Sequence, residues 1–115
     1  LDRALACYRA ALAAGLAGAL AQWVRLRLAA WEKRSARWEA ARGLWEEASR
    51  HEAFDPRPWE ELAKFHEHRR RDFATARAIV ERALDLAGAA SAPTSVLDAF
   101  AHRRSRLTRR LAARG

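Results

Sequence analysis

At 115 residues, the chain can bury one small core, and its five Gly and three Pro are too few for a Pro/Gly-rich coil. Its single cysteine, Cys7, excludes an internal disulfide and a cysteine-built zinc site. The net charge is +8, from 22 Lys+Arg against 14 Asp+Glu, and only Lys33 and Lys64 are lysine, so the excess is carried by arginine forks that suit phosphate and carboxylate.

Alanine supplies much of the 50% hydrophobic content, which favours closely approaching helices over a bulky β core. The first segment reads as helix from about Asp2 to Ala14, ended by Gly15. The second runs from about Ala19 to Arg34, with Val24, Leu28 and Trp31 as its apolar ridge. Ser35 can cap a third helix that reaches about Arg50. Asp55-Pro56-Arg57-Pro58 breaks the chain and opens a fourth, because proline is welcome only in a first turn. That helix should end near Arg71. Asp72 then caps a fifth, which reaches about Ala87 and stops at Gly88. Ala89 to Pro93 is a small-residue linker, and Ser95-Val96-Leu97-Asp98 reads as a capping box for a sixth helix, to about Ala112.

Short connections make successive helices antiparallel, which fits either a plain bundle or a repeat array. Three segments favour the array. Ala4, Tyr8 and Ala11, Ala41, Trp45 and Ala48, and Ala76, Val80 and Ala83 share one spacing of small, large and small residues. Their leading alanines recur after 37 and 35 residues. Tetratricopeptide repeats recur at about 34 residues, with the alanine letting two helices touch and the large residue filling the gap. Trp59, Leu62, Ala63 and Phe73 resemble the first helix and turn of such a repeat, although the fourth helix is one residue longer than the consensus and lacks its turn glycine. The expected architecture is therefore all-α: a right-handed superhelical stack of antiparallel hairpins, a tetratricopeptide-like domain over 1–115. It has a half repeat at 1–15, repeats at 19–50 and 56–88, and a basic capping helix at 95–113.

Trp59 to Leu84, followed by His102 to Leu111, also resembles the C-terminal helical region of bacterial YprB-like proteins. Those proteins carry an RNase H-fold, exonuclease-type domain ahead of such helices. The resemblance implies an accessory role beside a nuclease, and it places no catalytic residue on this chain.

Catalysis and metal binding find little footing. His66 and His68 lie two apart, about 200° around a helix, and cannot share one ion there. His66 is expected to pack, and Glu67 to pair with Arg71 at i,i+4. Ser35, Ser49, Ser91, Ser95 and Ser105 lack a nucleophile-elbow setting, and Cys7 is expected on a buried face as an inert small hydrophobe. Trp31, Trp38, Trp45 and Trp59 read as core, and Trp23 as the exposed exception. No enzyme activity, cofactor or metal is expected.

Binding is the remaining function, with two candidate surfaces. Arg103, Arg106, Arg110 and Arg114 fall on one face of the sixth helix, beside an apolar stripe of Leu97, Phe100, Leu107 and Leu111. From Pro93 onward the charge is +5. The stripe reads as the solvating outer face of a capping helix or as a phosphate contact, and Arg69, Arg70 and Arg71 would join the latter if the two meet in space. The other surface is a groove lined by Arg25, Arg27 and Glu32, and by Glu60, Lys64, Glu67 and His68. A protein scaffold, for a partner or an upstream domain, is the leading expectation, and nucleic-acid binding the rival. The first helix should need a covering partner, supplied by that upstream part or by a second copy in a homodimer. The chain begins at Leu1 with no Met, reads as a fragment of a longer protein, and shows no signal peptide or membrane segment: Ala10 to Val24 is apolar but rich in Ala and Gly, and Arg9 and Arg25 flank it. With Cys7 as the only cysteine, a reducing, cytoplasmic setting is expected.

Overall fold

A computed structural model describes residues 2–114 and bears out the all-α class: six α-helices and one π-helical turn, with no strand among the described residues. They pack as two compact units, Leu1–Glu52 and Ala53–Gly115, divided between the expected repeats.

The first unit holds α1 (Asp2–Ala13), α2 (Gly18–Arg34) and α3 (Trp38–Ser49). Helices α2 and α3 form an antiparallel hairpin, since Gln22 near the start of α2 donates Nε2–H to the Ala48 carbonyl at the end of α3, 3.0 Å away. Ala21, Ala29, Ala41 and Ala48 are buried in this unit, with Trp45 between the last two on α3. Leu5 joins α1 to Val24 and Leu28, with Tyr8, Leu12, Leu16, Trp31 and Leu44 packed around them. Leu5 is the only buried described residue of α1. Cys7 is exposed, not on a buried face as expected: two residues from Leu5, it projects from the opposite side of the helix.

Gly15 ends α1 as expected, at φ +94°, where Leu16 N–H reaches the Ala11 carbonyl at 3.0 Å and Gly15 N–H that of Leu12 at 3.1 Å. Helix α2 closes in the same way around Ala36 at φ +59°, with Arg37 N–H donating to the Glu32 carbonyl at 2.8 Å. This closure corrects the role given to Ser35. The serine belongs to the end of α2, and α3 begins only at Trp38, after Arg37.

In the second unit, α4 (Pro56–Lys64) starts where the prolines place it. The Asp55 carboxylate accepts the Arg57 N–H at 3.0 Å. The helix then passes into a π turn, Phe65–Arg69, in which Arg70 N–H donates to the Phe65 carbonyl at 3.1 Å. A π turn is how a helix takes up one extra residue. Asp72 caps α5 (Phe73–Ala89) through Thr75, accepting its N–H at 3.1 Å and its hydroxyl at 2.7 Å. Gly88 does not stop this helix. Ser91, at φ +54°, turns the chain instead, with Ala92 N–H donating to the Ala87 carbonyl at 2.9 Å. Helix α6 (Thr94–Arg114) already includes Ser95, which is therefore not its cap. The Pro93 carbonyl receives the first N–H groups, those of Val96 and Leu97.

Helix α5 is the centre of this unit. Ala63, Phe73, Ala76, Val80, Ala83, Phe100 and Leu107 form one core, so α4 and α6 both lie against α5. Helix α6 runs antiparallel to α5, since its last turns reach Phe73 at the start of α5. Helix α4 and its π turn run beside α6 in the same direction: Pro56 and Glu60 face Ser95, Val96 and Ala99, and Glu67 faces Arg103 and Arg106. The small–large–small spacing is buried alike in both units. Ala41, Trp45 and Ala48 are exposed by no more than 3%, and Ala76, Val80 and Ala83 not at all. On α1 the matching Ala4 is exposed and Tyr8 and Ala11 are half-buried.

Candidate functional site

The second unit gathers most of the sequence's candidate arginines, and it sorts them into two groups. Seen down α6, Phe100, Arg103, Leu107, Arg110 and Arg114 recur at three- and four-residue steps, so they share one face. The arginines are not beside the apolar stripe, as expected, but interleaved with it. Phe100 and Leu107 are buried, and the long arginine stems run out past them.

Arg103 and Arg106 turn to Glu67. The side chain of Glu67 is fully buried and sits in the π turn. Its Oε1 accepts Nη1–H of Arg103 at 2.9 Å and Nη2–H of Arg106 at 2.7 Å, while its Oε2 accepts Nε–H of Arg106 at 3.1 Å. Burial alone would raise the Glu67 pKa. The Arg106 hydrogen bond and charge, helped by His68 and Arg103, outweigh burial and hold the group below its ordinary 4.5. The expected Glu67–Arg71 pair is replaced by these contacts, because the π turn shifts the register that an α-helical i,i+4 pairing needs. Both guanidinium groups thereby share one carboxylate, and their donors are engaged although one net positive charge remains.

Arg71, Arg110 and Arg114 form the second group, on the ring of Phe73. Their guanidinium carbons lie 5.2, 5.1 and 5.1 Å from its centroid. Phe73 is 4% exposed, whereas all three arginines are exposed. Arg71 adopts φ +53°, a costly conformation for a residue with a side chain. Arg114 also donates a long bond, 3.4 Å, to the Arg71 carbonyl. Among the described residues none of the three meets a carboxylate, and the neighbouring Asp72 is engaged with Thr75. Hydrogen bonding from Thr75 holds the Asp72 pKa below its usual range, with His66 and Arg70 adding attraction. Arg70 sits over Phe65 at 5.3 Å, and Arg69 ends the π turn, exposed. The Arg69–Arg71 triplet and the last turns of α6 thus meet at one end of this unit.

The groove candidates scatter. Arg25 faces Glu47 across the α2–α3 seam at 3.4 Å, and Arg27 covers Trp23 at 5.2 Å. Glu32 is buried and holds Arg37 and Arg9, each at about 3 Å. Its pKa is lowered chiefly by the Arg37 hydrogen bond, against the opposing effect of burial. Glu60 and Lys64 pair along α4 at 3.3 Å. Glu67 is buried and His68 exposed, 3.7 Å apart. Glu60 alone of this set lines the cleft of about 190 Å³ between α4 and α6, with Pro56, Ser95, Val96, Ala99, Phe100 and Arg103. Trp23 is 45% exposed, as expected, with Tyr8 edge-on at 5.7 Å.

Sequence reasoning missed Glu67 as an ion-pair centre and Phe73 as a cation platform. The three- and four-residue spacing of Arg103 with Phe100 and Leu107 was a signal for the first, and Phe73 next to Arg69–Asp72 was one for the second. Among the described residues, no three or more His, Cys, Asp or Glu are grouped to hold a metal ion, and no helix is long and apolar enough to cross a membrane. No protein-family model, curated protein or solved structure matches the chain.

Proposed function

We propose that the chain is a non-catalytic, tetratricopeptide-like scaffold that mediates protein–protein or interdomain contacts. The observation that carries this reading is the recurrence of one buried small–large–small triplet, Ala41–Trp45–Ala48 on α3 and Ala76–Val80–Ala83 on α5. The side-by-side course of α4 and α6 against α5 is the relation that first helices of successive repeats have in such arrays. A right-handed superhelical stack, a bacterial cytoplasmic setting and a place beside an RNase H-fold domain belong to this reading. Leu20 (59% exposed) and Trp23 give the first unit an apolar surface for a partner domain or a second copy. Photo-crosslinking from a benzoylphenylalanine at position 20, in cells, is expected to trap one defined protein species. Adducts that disappear on nuclease treatment would refute the scaffold reading.

A second reading, nucleic-acid binding, is favoured by one observation: Arg71 shares the Phe73 ring with Arg110 and Arg114. Binding of oligonucleotide at low salt, lost as salt rises, tests it.

A further inference from the structure

We propose that Arg71, Arg110 and Arg114, gathered on the Phe73 ring, form a contact site for the phosphodiester backbone of a nucleic acid. The inference rests on the nucleic-acid reading above, and it narrows the contact to three side chains while removing two others. Arg103 and Arg106 are held by the buried Glu67, so binding phosphate there would mean giving up charge-assisted bonds of 2.7–3.1 Å.

The three arginines on Phe73 are in the opposite condition. They are like charges held against one ring, all within 5.2 Å of its centroid, and among the described residues no carboxylate offsets them. The ring attracts them without using their N–H donors, and apart from the long Arg114 bond to the Arg71 carbonyl these stay available to an acceptor from outside. An anion placed among them relieves their mutual repulsion and receives several forked bonds at once.

The surroundings identify the anion. An interface with a protein centres on a desolvated apolar anchor. Among the described residues the exposed large hydrophobics are Leu20 and Trp23, and neither lies in this unit. After Asp98, by contrast, α6 carries six arginines and no acid, and Arg69 and Arg70 lie beside Arg71 in sequence. A single small anion at so open a site is screened by salt, whereas a polyphosphate strand engages many arginines and releases its counterions. Phe73 is covered, so bases cannot stack on it. The contact is therefore with the backbone and indifferent to base sequence.

The test is fluorescence anisotropy of a labelled 20-nucleotide single strand with the whole chain, between 50 and 200 mM salt. The double variant Arg110→Gln/Arg114→Gln is compared with Arg104→Gln/Arg109→Gln, which removes the same charge from exposed positions off the ring. The ring pair is expected to weaken binding at least about tenfold more than the control pair, and to flatten the log K against log salt slope by about 1.4, or about 0.7 per lost contact. Arg71→Gly supplies a variant that cannot fail by misfolding at that position, since glycine suits φ +53° better than arginine does; it should still lose affinity. Equal losses from the two pairs, with the slope unchanged, would overturn the Phe73 site and leave the nucleic-acid reading standing. No oligonucleotide binding at 50 mM salt would overturn both. Displacement of the strand by polyglutamate of equal total charge at equal concentration would overturn the preference for phosphate.

Discussion

Replacing Glu67 by Gln isolates the buried ion cluster of the second unit. The substitution keeps the shape and removes the charge from a fully buried side chain that accepts three arginine N–H bonds. Removing one partner of a buried pair costs roughly 3–5 kcal/mol when both ions are sealed from water. Here the Arg103 and Arg106 side chains are 16% and 32% exposed, so water takes over part of their solvation. Three charge-assisted bonds, discounted for that, give a loss of about 2–3 kcal/mol at pH 7, or about 10 °C in melting temperature. The pH dependence follows from the lowered pKa. The carboxylate's contribution is complete above the unfolded value of about 4.5 and is lost as pH falls through the lower folded value. Urea unfolding followed by circular dichroism, at pH 7 and again near pH 3, should show a gap between wild type and Glu67→Gln that narrows on acidification. A gap below about 0.5 kcal/mol at pH 7, or one that acid leaves unchanged, would refute the reasoning.

Other substitutions probe the helix ends and the repeat register. Ala36→Gly should stabilise by about 0.5–1 kcal/mol, because φ +59° penalises a Cβ more than glycine's extra unfolded-state freedom costs; denaturant midpoints decide the sign. Ala76→Leu should cost about 1–3 kcal/mol by overpacking a residue with no exposure, while Ala4→Leu, its exposed counterpart on α1, should stay within about 0.5 kcal/mol; thermal melts of the pair test whether α1 joins the repeat packing. Asp55→Ala should cost about 1 kcal/mol by releasing the Arg57 N–H, visible as lost protection in hydrogen exchange at the start of α4.

What the sequence determined by itself was local or periodic. Proline after Asp55 sets the start of α4, Gly15 ends α1, and Ala–x₃–large–x₂–Ala marks the buried faces of α3 and α5. These signals act within one or two helical turns, where steric rules for backbone and side chain suffice. Other features waited for the tertiary structure. Ala36, Arg71 and Ser91 take left-handed turns without glycine, because closures onto the carbonyls of Glu32 and Ala87, five residues back, and of His66, six back, pull the chain there. The bonds of Glu67 to Arg103 and Arg106 span 36 and 39 residues, and its π turn changes the register from which a face would be read. The seven-arginine surface divides for the same reason. Arg103 and Arg106 find a buried carboxylate, and Arg71, Arg110 and Arg114 find a phenyl ring. Spacing along α6 put four arginines on one helix; only the packing of α4, α5 and α6 decided which of them meet a carboxylate.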